Sequence, residues 1–476
     1  MLHTLRVALL LLVGLVSLTA HAADPRPETL SDQQLLQILT PSAEVEGRCG
    51  TPYVVELQAR GLELASLAEA ADDTLYYNTP EGHFVISYKV LGTNAVDPTD
   101  SDVSGVPDYV ELIGSACERS WSVETDSLGF SAPDLGGERY EVSTIFGLSF
   151  FGLTNVDPSS PGGSNIRVRF SMEPFCNTAA DPETCEVNAL LVTIAHEFKH
   201  AVQIASGWNL QNVGGWIELD ATWIEDIVFD DSNDYYRFIA VGTSPFLAPQ
   251  VTLVNASYED CTWQHFLSEN WGSDFILDYD AELVAGLPGQ AAQVAFLNVA
   301  NDRGLDWGEL WGNYTTATYL SGGRAVAGRV FEEGVFYPQA VTVSIPEFPY
   351  AQPQSNLPDM SMAFFEFDSA GSSEAGLIDI SFSGTGGIVW TLRAVFQRAE
   401  ELIVVPIEVV GGAASFRPTQ LVEDYDRFAL LLGNSRVPPF DVSSGSYSIE
   451  FGLHAVPNQA TSMGGFKGRF RRPSGN

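Results

Sequence analysis

The residues best suited to chemistry are His196, Glu197 and His200, in the string His196-Glu197-Phe198-Lys199-His200. On a helix, side chains four apart share a face at about 6 Å, so both imidazoles can reach one Zn²⁺ while Glu197 projects beside it. A helix is expected because Leu190, Leu191, Ile194, Phe198 and Val202 supply apolar positions, and no Gly or Pro interrupts Val187 to Ala205. The competing reading makes the two histidines hydrogen-bonded core residues. A catalytic zinc site needs a third protein ligand and keeps its fourth position open. No further His follows in a His-x-x-Gly-x-x-His arrangement, since Ala-Val-Gln-Ile-Ala-Ser-Gly comes after His200. Carboxylates are available between Trp216 and Asp226, where Glu218 and Glu225 fall on one helix face. Periodicity leaves either of them open as the ligand.

His196, Glu197, His200 and Gln203, followed by Trp216, Glu218, Ala221, Trp223 and Glu225, resemble the gluzincin branch of the zincin metallopeptidases. Within that branch they are most similar to a group of secreted bacterial proteins assigned as metalloproteases. The resemblance covers roughly residues 79–335 and is specific at the two helices. It implies a zincin-like domain with Glu218 as the third zinc ligand and Glu225 as an acid behind the ligands. Leu219 departs from the pattern, which has Gly after the ligand Glu. The implied reaction is hydrolysis of a peptide bond in a protein or peptide substrate by a metal-activated water, with Glu197 as general base. Tyr235, Tyr236, Tyr258 and His265 are downstream candidates to stabilise an oxyanion.

Asp100, Asp102, Ser104, the carbonyl of Val106, Asp108 and Glu111 stand at the oxygen-ligand positions of a twelve-residue calcium loop, with Gly105 at its turn. The residues before it read as strand and turn, so this is at most half an EF-hand. Without an ion, Asp108 near the start of a helix would favour the helix dipole. The five cysteines are Cys49, Cys117, Cys176, Cys185 and Cys261. Spacing favours Cys176 with Cys185 and then Cys117 with Cys261, which leaves Cys49 over. The context Arg48-Cys49-Gly50-Thr51-Pro52 resembles a metalloprotease cysteine switch, in which a prosegment thiolate fills the open zinc position. A bridge from Cys49 to Cys117 or Cys261 is the alternative.

An α+β body has to position these groups. Phe84, Ile86, Tyr88 and Val90 alternate as a strand, as do Ile166, Val168 and Phe170, a strand that offers an edge for an extended substrate. Helices are expected around 109–122, 187–205 and 216–229. Beyond about Ala340, short alternating runs such as Ile378, Ile380 and Phe382 suggest a separate β-sandwich. The expected order is a signal peptide over 1–22, a leading segment over 23–78 that could be a propeptide, a catalytic domain over 79–339, a β-sandwich over 340–455 and a basic tail over 456–476.

Composition narrows the setting. With 61 acidic against 23 basic residues and a formal charge of −38, the chain is unsuited to nucleic acid or an anionic membrane. At 45% hydrophobic it can bury a core. No transmembrane segment is expected once the signal is cleaved, so the protein is expected to be secreted or otherwise outside the cytoplasm. The tail and β domain offer surface contacts. A rival reading is therefore an exported surface-binding or structural protein with a catalytically degenerate zinc site.

Overall fold

The computed structural model describes residues 26–39, 49–62, 73–145, 147–177, 179–286, 290–326, 328, 331–399, 401–439 and 441–455. The signal at 1–22, Arg48, Leu64, Leu67 and the tail at 456–476 lie outside the described residues.

The leading segment contributes α1 (Asp32–Ile38) and α2 (Thr51–Ala59). Ser31 caps α1 reciprocally with Gln34, and Pro52 sits in the first turn of α2, where a missing N–H costs nothing. Leu35, Leu39, Tyr53, Val54 and Leu57 from this segment share a small buried core with Leu148, Phe150 and Leu153.

A five-stranded sheet follows, made of β1 (Leu75–Asn78), β2 (Phe84–Tyr88), β3 (Tyr140–Ser143), β4 (Gly152–Val156) and β5 (Ser164–Val168). Its order is β1-β2-β3-β5-β4, with β2, β3 and β5 parallel and the two outer strands antiparallel to their neighbours. The strand expected to offer the edge does not lie at it. β5, which carries Ile166 and Val168, is interior and stops before Phe170, while the short and half-polar β4 returns beside it as the edge.

The helical layer comprises α3 (Asp108–Trp121), α4 (Glu173–Cys176), α5 (Pro182–Ser206), α6 (Leu210–Val213), α7 (Trp216–Val228), α8 (Tyr236–Ile239), α9 (Thr262–Trp271), α10 (Asp274–Gly286), α11 (Ala292–Asp302) and α12 (Trp307–Tyr319). α5 begins upstream of the expected Val187, because Asp181 caps it by accepting from Thr184 N and Pro182 opens its first turn. Its Phe198 ring meets those of Phe84 at 5.5 Å and Tyr140 at 6.2 Å, which fastens α5 to the sheet. Among the described residues no helix is long and apolar enough to cross a membrane.

Cys176 and Cys185 form a disulfide that ties α4 to the first turns of α5. The expected Cys117–Cys261 bridge is not formed. Each thiol is fully buried in the main apolar core, one on α3 and the other at the start of α9, where it packs as a small hydrophobe.

The C-terminal strands are β6 (Val343–Ser344), β7 (Tyr350–Pro358), β8 (Ser361–Asp368), β9 (Leu377–Gly384), β10 (Trp390–Arg398), β11 (Glu401–Ile407), β12 (Ala413–Phe416), β13 (Arg427–Asn434) and β14 (Ser444–His454). They form two sheets, β11-β10-β13-β8-β6 and β12-β9-β14-β7. Phe365, Phe396 and Leu430 from the first meet Ile380, Ile449 and Phe451 from the second in one core. On the opposite face of the first sheet, Phe364, Val395 and Leu431 join the core of the helical layer. α12 lies on this face, close enough that a Cβ on Gly433 would come within 2.8 Å of Trp311. Buried Arg324 adds an ion pair to Glu366 at 2.8 Å across the same junction.

Candidate metal centre

The site is built by α5, α7 and the residues just before α2. α7 must start abruptly after α6 to bring its acids under α5, and Gly214-Gly215 makes that start. Gly214 sits at φ 63°, ψ −145°, and a Cβ on Gly215 would come within 2.1 Å of the Ala256 carbonyl. From there Glu218 and Glu225 share the face towards His196. Leu219 is fully buried in the core inside regular helix, so its presence does not turn Glu218 away.

Each histidine has its Nδ1 engaged. His196 Nδ1 lies 2.7 Å from Glu225 Oε1, and His200 Nδ1 lies 2.9 Å from Gln203 Oε1. Donation from Nδ1 to these oxygens leaves each Nε2 to face the shared space. His196 Nε2 is 3.0 Å from Glu218 Oε2, and His200 Nε2 is 3.3 Å from Glu218 Oε1. Cys49 Sγ is 3.5 Å from His200 Nε2. All four side chains are buried, and their ligand atoms lie within 4.8 Å of one another.

Two observations test whether this cluster suits a cation. Glu218 Oε1 is buried and makes no well-formed hydrogen bond, with His200 Nε2 in ion-pair reach at 3.3 Å, and a cation would satisfy it. The donors are one sulfur, two imidazole nitrogens and one carboxylate, a set that suits zinc among common divalent ions. Charge without a cation has to be balanced by protons. Burial opposes charge on His196, yet hydrogen bonds to Glu218 and Glu225 and their charges outweigh it and raise its pKa to about 10. Burial likewise opposes ionisation of Glu218, but the charge of His200, then the hydrogen bond from His196 and its charge, hold it well below the usual carboxylate range. Burial, followed by the charges of Glu197 and Glu218, pushes the Cys49 thiol well up. Binding a cation would release protons from His196 and Cys49.

Behind this donor cluster, Gln203 Nε2 donates to Asp220 Oδ2 at 2.8 Å, and Asp220 lies 3.4 Å from buried Lys199 Nζ. The Lys199 ammonium also sits 3.2 Å above the Phe130 ring. Gln203, Asp220 and Lys199 thus fix the orientation of His200, and their spacing on α5 and α7 was the available sequence signal. Tyr258 stacks on His196 with ring centroids 5.7 Å apart. Tyr235 instead bonds Glu333 and Tyr337 and stacks on His265, while Tyr236 packs against Phe336 and Tyr337.

Glu197 faces β4. Its Oε2 accepts from Thr51 Oγ1 at 3.0 Å and from Thr154 Oγ1 at 2.9 Å. Gly152 makes this approach possible, since a Cβ there would lie 2.8 Å from Glu197 Cγ. Neither threonine was legible as a site residue, because their meeting depends on how the leading segment lies against β4.

At the expected calcium loop, Asp100, Asp102 and Asp108 come together with ligand oxygens within 4.8 Å. Ser104 N donates to Asp100 and Asp102, Ser104 Oγ donates to the Val106 carbonyl at 3.3 Å, and Ser101 donates twice to Asp108. Asp108 opens α3, with Glu111 in the same first turn, and Glu111 is not part of the three-carboxylate group.

No family model and no curated protein matches the chain. Among solved structures, it is similar to the 1.0 Å crystal structure of the pre-peptidase C-terminal domain of a collagenase from Bacillus anthracis. That likeness covers 23% of this chain and 94% of the other, at 16% identity and a TM-score of 0.17. At that score it says nothing about the site.

Proposed function

We propose that the chain is an exported, latent zinc peptidase of the gluzincin type, with His196, His200 and Glu218 as ligands and Cys49 in the fourth position. The observation that carries this reading is the buried Glu218 carboxylate, whose two oxygens meet the Nε2 atoms of two imidazoles held from behind, while Glu197 follows His196 on the same helix. A purely structural zinc site has no use for that extra carboxylate. The disulfide fits an oxidising compartment outside the cytoplasm.

A bound zinc ion supplies Lewis acidity, which acidifies water and polarises a carbonyl. The protein's own groups do the rest. Once Thr51 is withdrawn, the Glu197 carboxylate would receive a proton from the attacking water and return it to the leaving amine. Glu225 and Gln203 hold the imidazole tautomers. Calcium at Asp100, Asp102 and Asp108 belongs to the same reading and is checked by equilibrium dialysis of the whole chain at millimolar Ca²⁺.

The test starts from a chain opened by Cys49→Ser, Thr51→Val and Tyr53→Ala, the last to unseat the leading segment from Phe150, and compares it with the same chain carrying Glu197→Gln, using zinc content and a peptide library. Equal zinc with cleavage reduced about 10²-fold or more by Glu197→Gln supports the peptidase. One observation favours the rival, a degenerate site in a surface-binding or structural protein: Cys49 closes the donor set to four, as structural zinc sites do. Zinc bound with no cleavage by the opened chain selects that rival.

A further inference from the structure

The leading segment does more than present a thiol. Along β4 it meets alternate residues of the open edge in order. Gly50 N donates to the Gly152 carbonyl at 2.9 Å, Thr51 Oγ1 accepts from Thr154 N at 2.7 Å, and Gln58 Nε2 donates to the Val156 carbonyl at 3.0 Å. One backbone bond and two side-chain bonds thus cover the outward groups of this edge, although the segment turns into α2 at Thr51 and adds no strand of its own. The same Thr51 hydroxyl donates to Glu197. Two residues later Tyr53, itself buried, stacks on Phe150 at 5.4 Å in the apolar seat formed by Leu148, Phe150 and Leu153.

Cys49, Thr51 and Tyr53 therefore occupy three chemically different places: the metal side, the proposed base and an apolar seat beside the strand. A segment that only bridged a structural cation would need the first alone. We infer that residues 49–58 are a built-in pseudo-substrate, and that Leu148, Phe150 and Leu153 form the subsite that selects an aromatic or large apolar side chain in the peptide substrate. This rests on the peptidase reading. With the segment seated, Glu197 is engaged by Thr51, so latency does not depend on the thiol alone. With it displaced, the β4 edge and the apolar seat become available together to a peptide in its place.

The test uses the full chain and first asks about the seat without relying on catalysis. Cys49 modification by a maleimide is followed by peptide mapping, which separates it from Cys117 and Cys261, alongside zinc content. The parent is expected to label slowly. Tyr53→Ala and Phe150→Ala are expected to label at least about tenfold faster, the factor that corresponds to ~1.4 kcal/mol of lost packing. Tyr53→Phe, which keeps the ring, should stay close to the parent, and circular dichroism checks that each variant is folded. The second readout is the cleavage preference on a peptide library of the chain carrying Cys49→Ser, Thr51→Val and Tyr53→Ala together, which should favour aromatic and large apolar residues and lose that preference when Phe150→Ala is added. Rapid labelling of the parent overturns the pseudo-substrate. Cleavage without side-chain preference overturns the subsite. Faster labelling with no cleavage of any peptide overturns the peptidase reading itself, and the groove's role with it.

Discussion

Thr51 and Glu197 are joined by a buried hydrogen bond of 3.0 Å, although one belongs to the leading segment and the other to α5. Thr51 Oγ1 also accepts from Thr154 N at 2.7 Å, so a single hydroxyl satisfies a strand amide and a buried carboxylate. Thr51→Val should therefore cost about 1–3 kcal/mol, the penalty for leaving buried polar partners unmet. Chemical denaturation followed by hydrogen exchange at β4 measures it. A variant as stable as the parent, with β4 equally protected, would contradict the assignment.

Metal removal should also be felt in stability. With free zinc at about 1,000 times its Kd, binding contributes ~4 kcal/mol to the folded state. Stripping the chain with a chelator should lower its thermal midpoint, and restoring zinc should recover it. His196→Ala and Glu218→Ala should make the midpoint insensitive to the chelator, with metal content read by mass spectrometry.

The residues behind the ligands should tune affinity more than fold. Glu225→Ala frees His196 Nδ1 and Gln203→Ala frees His200 Nδ1, and each should weaken zinc binding by about 10–100-fold. Competition with a chromogenic chelator reads this directly. Glu225→Gln keeps an acceptor oxygen and should lose less.

A buried acidic cluster behind Glu225 predicts the pH response. Burial first, then the charges of Glu333, Asp230, Glu225 and Glu269, raise Asp226 to about 8. Burial is also the main reason that Glu269 rises to about 7. The folded chain thus keeps protons that the unfolded chain releases above about pH 4. Stability should fall as pH rises from there towards those two values, by up to about 1.4 kcal/mol per pH unit for each group. Urea midpoints across this range should fall, and Asp226→Asn should flatten the trend; midpoints that climb with pH would sink the idea.

The cysteine arrangement predicts a count. Without reductant, the denatured chain should titrate three thiols, those of Cys49, Cys117 and Cys261, with Cys176 and Cys185 released only on reduction. A single thiol would reinstate the bridge between Cys117 and Cys261.

The parts that could be read from sequence are those in which local periodicity and burial agree. The residues from Leu190 to Val202 demanded a helix, and α5 forms there; Phe84, Ile86 and Tyr88 alternate and form β2. The histidine pair could be placed on one face for the same reason. What escaped depends on chain crossings. β4 has only five residues, three of them polar or small, so nothing local marks it as the edge. The Thr51–Glu197 contact spans two elements separated by the whole sheet in sequence. The Cys117–Cys261 pairing failed because elimination among cysteines ignores that a buried thiol can simply pack.

The junction between α12 and the C-terminal sheet bears on how the protein can be handled. Trp311 rests against Gly433, and Tyr319 packs on Phe364 with ring centroids 5.7 Å apart. A chain cut near residue 340 would leave these rings facing water, a sticky patch on the half that carries the histidines. The sandwich is thus a lid on the core as much as an appendage, and isolating the metal-site half for study would call for polar replacements on α12.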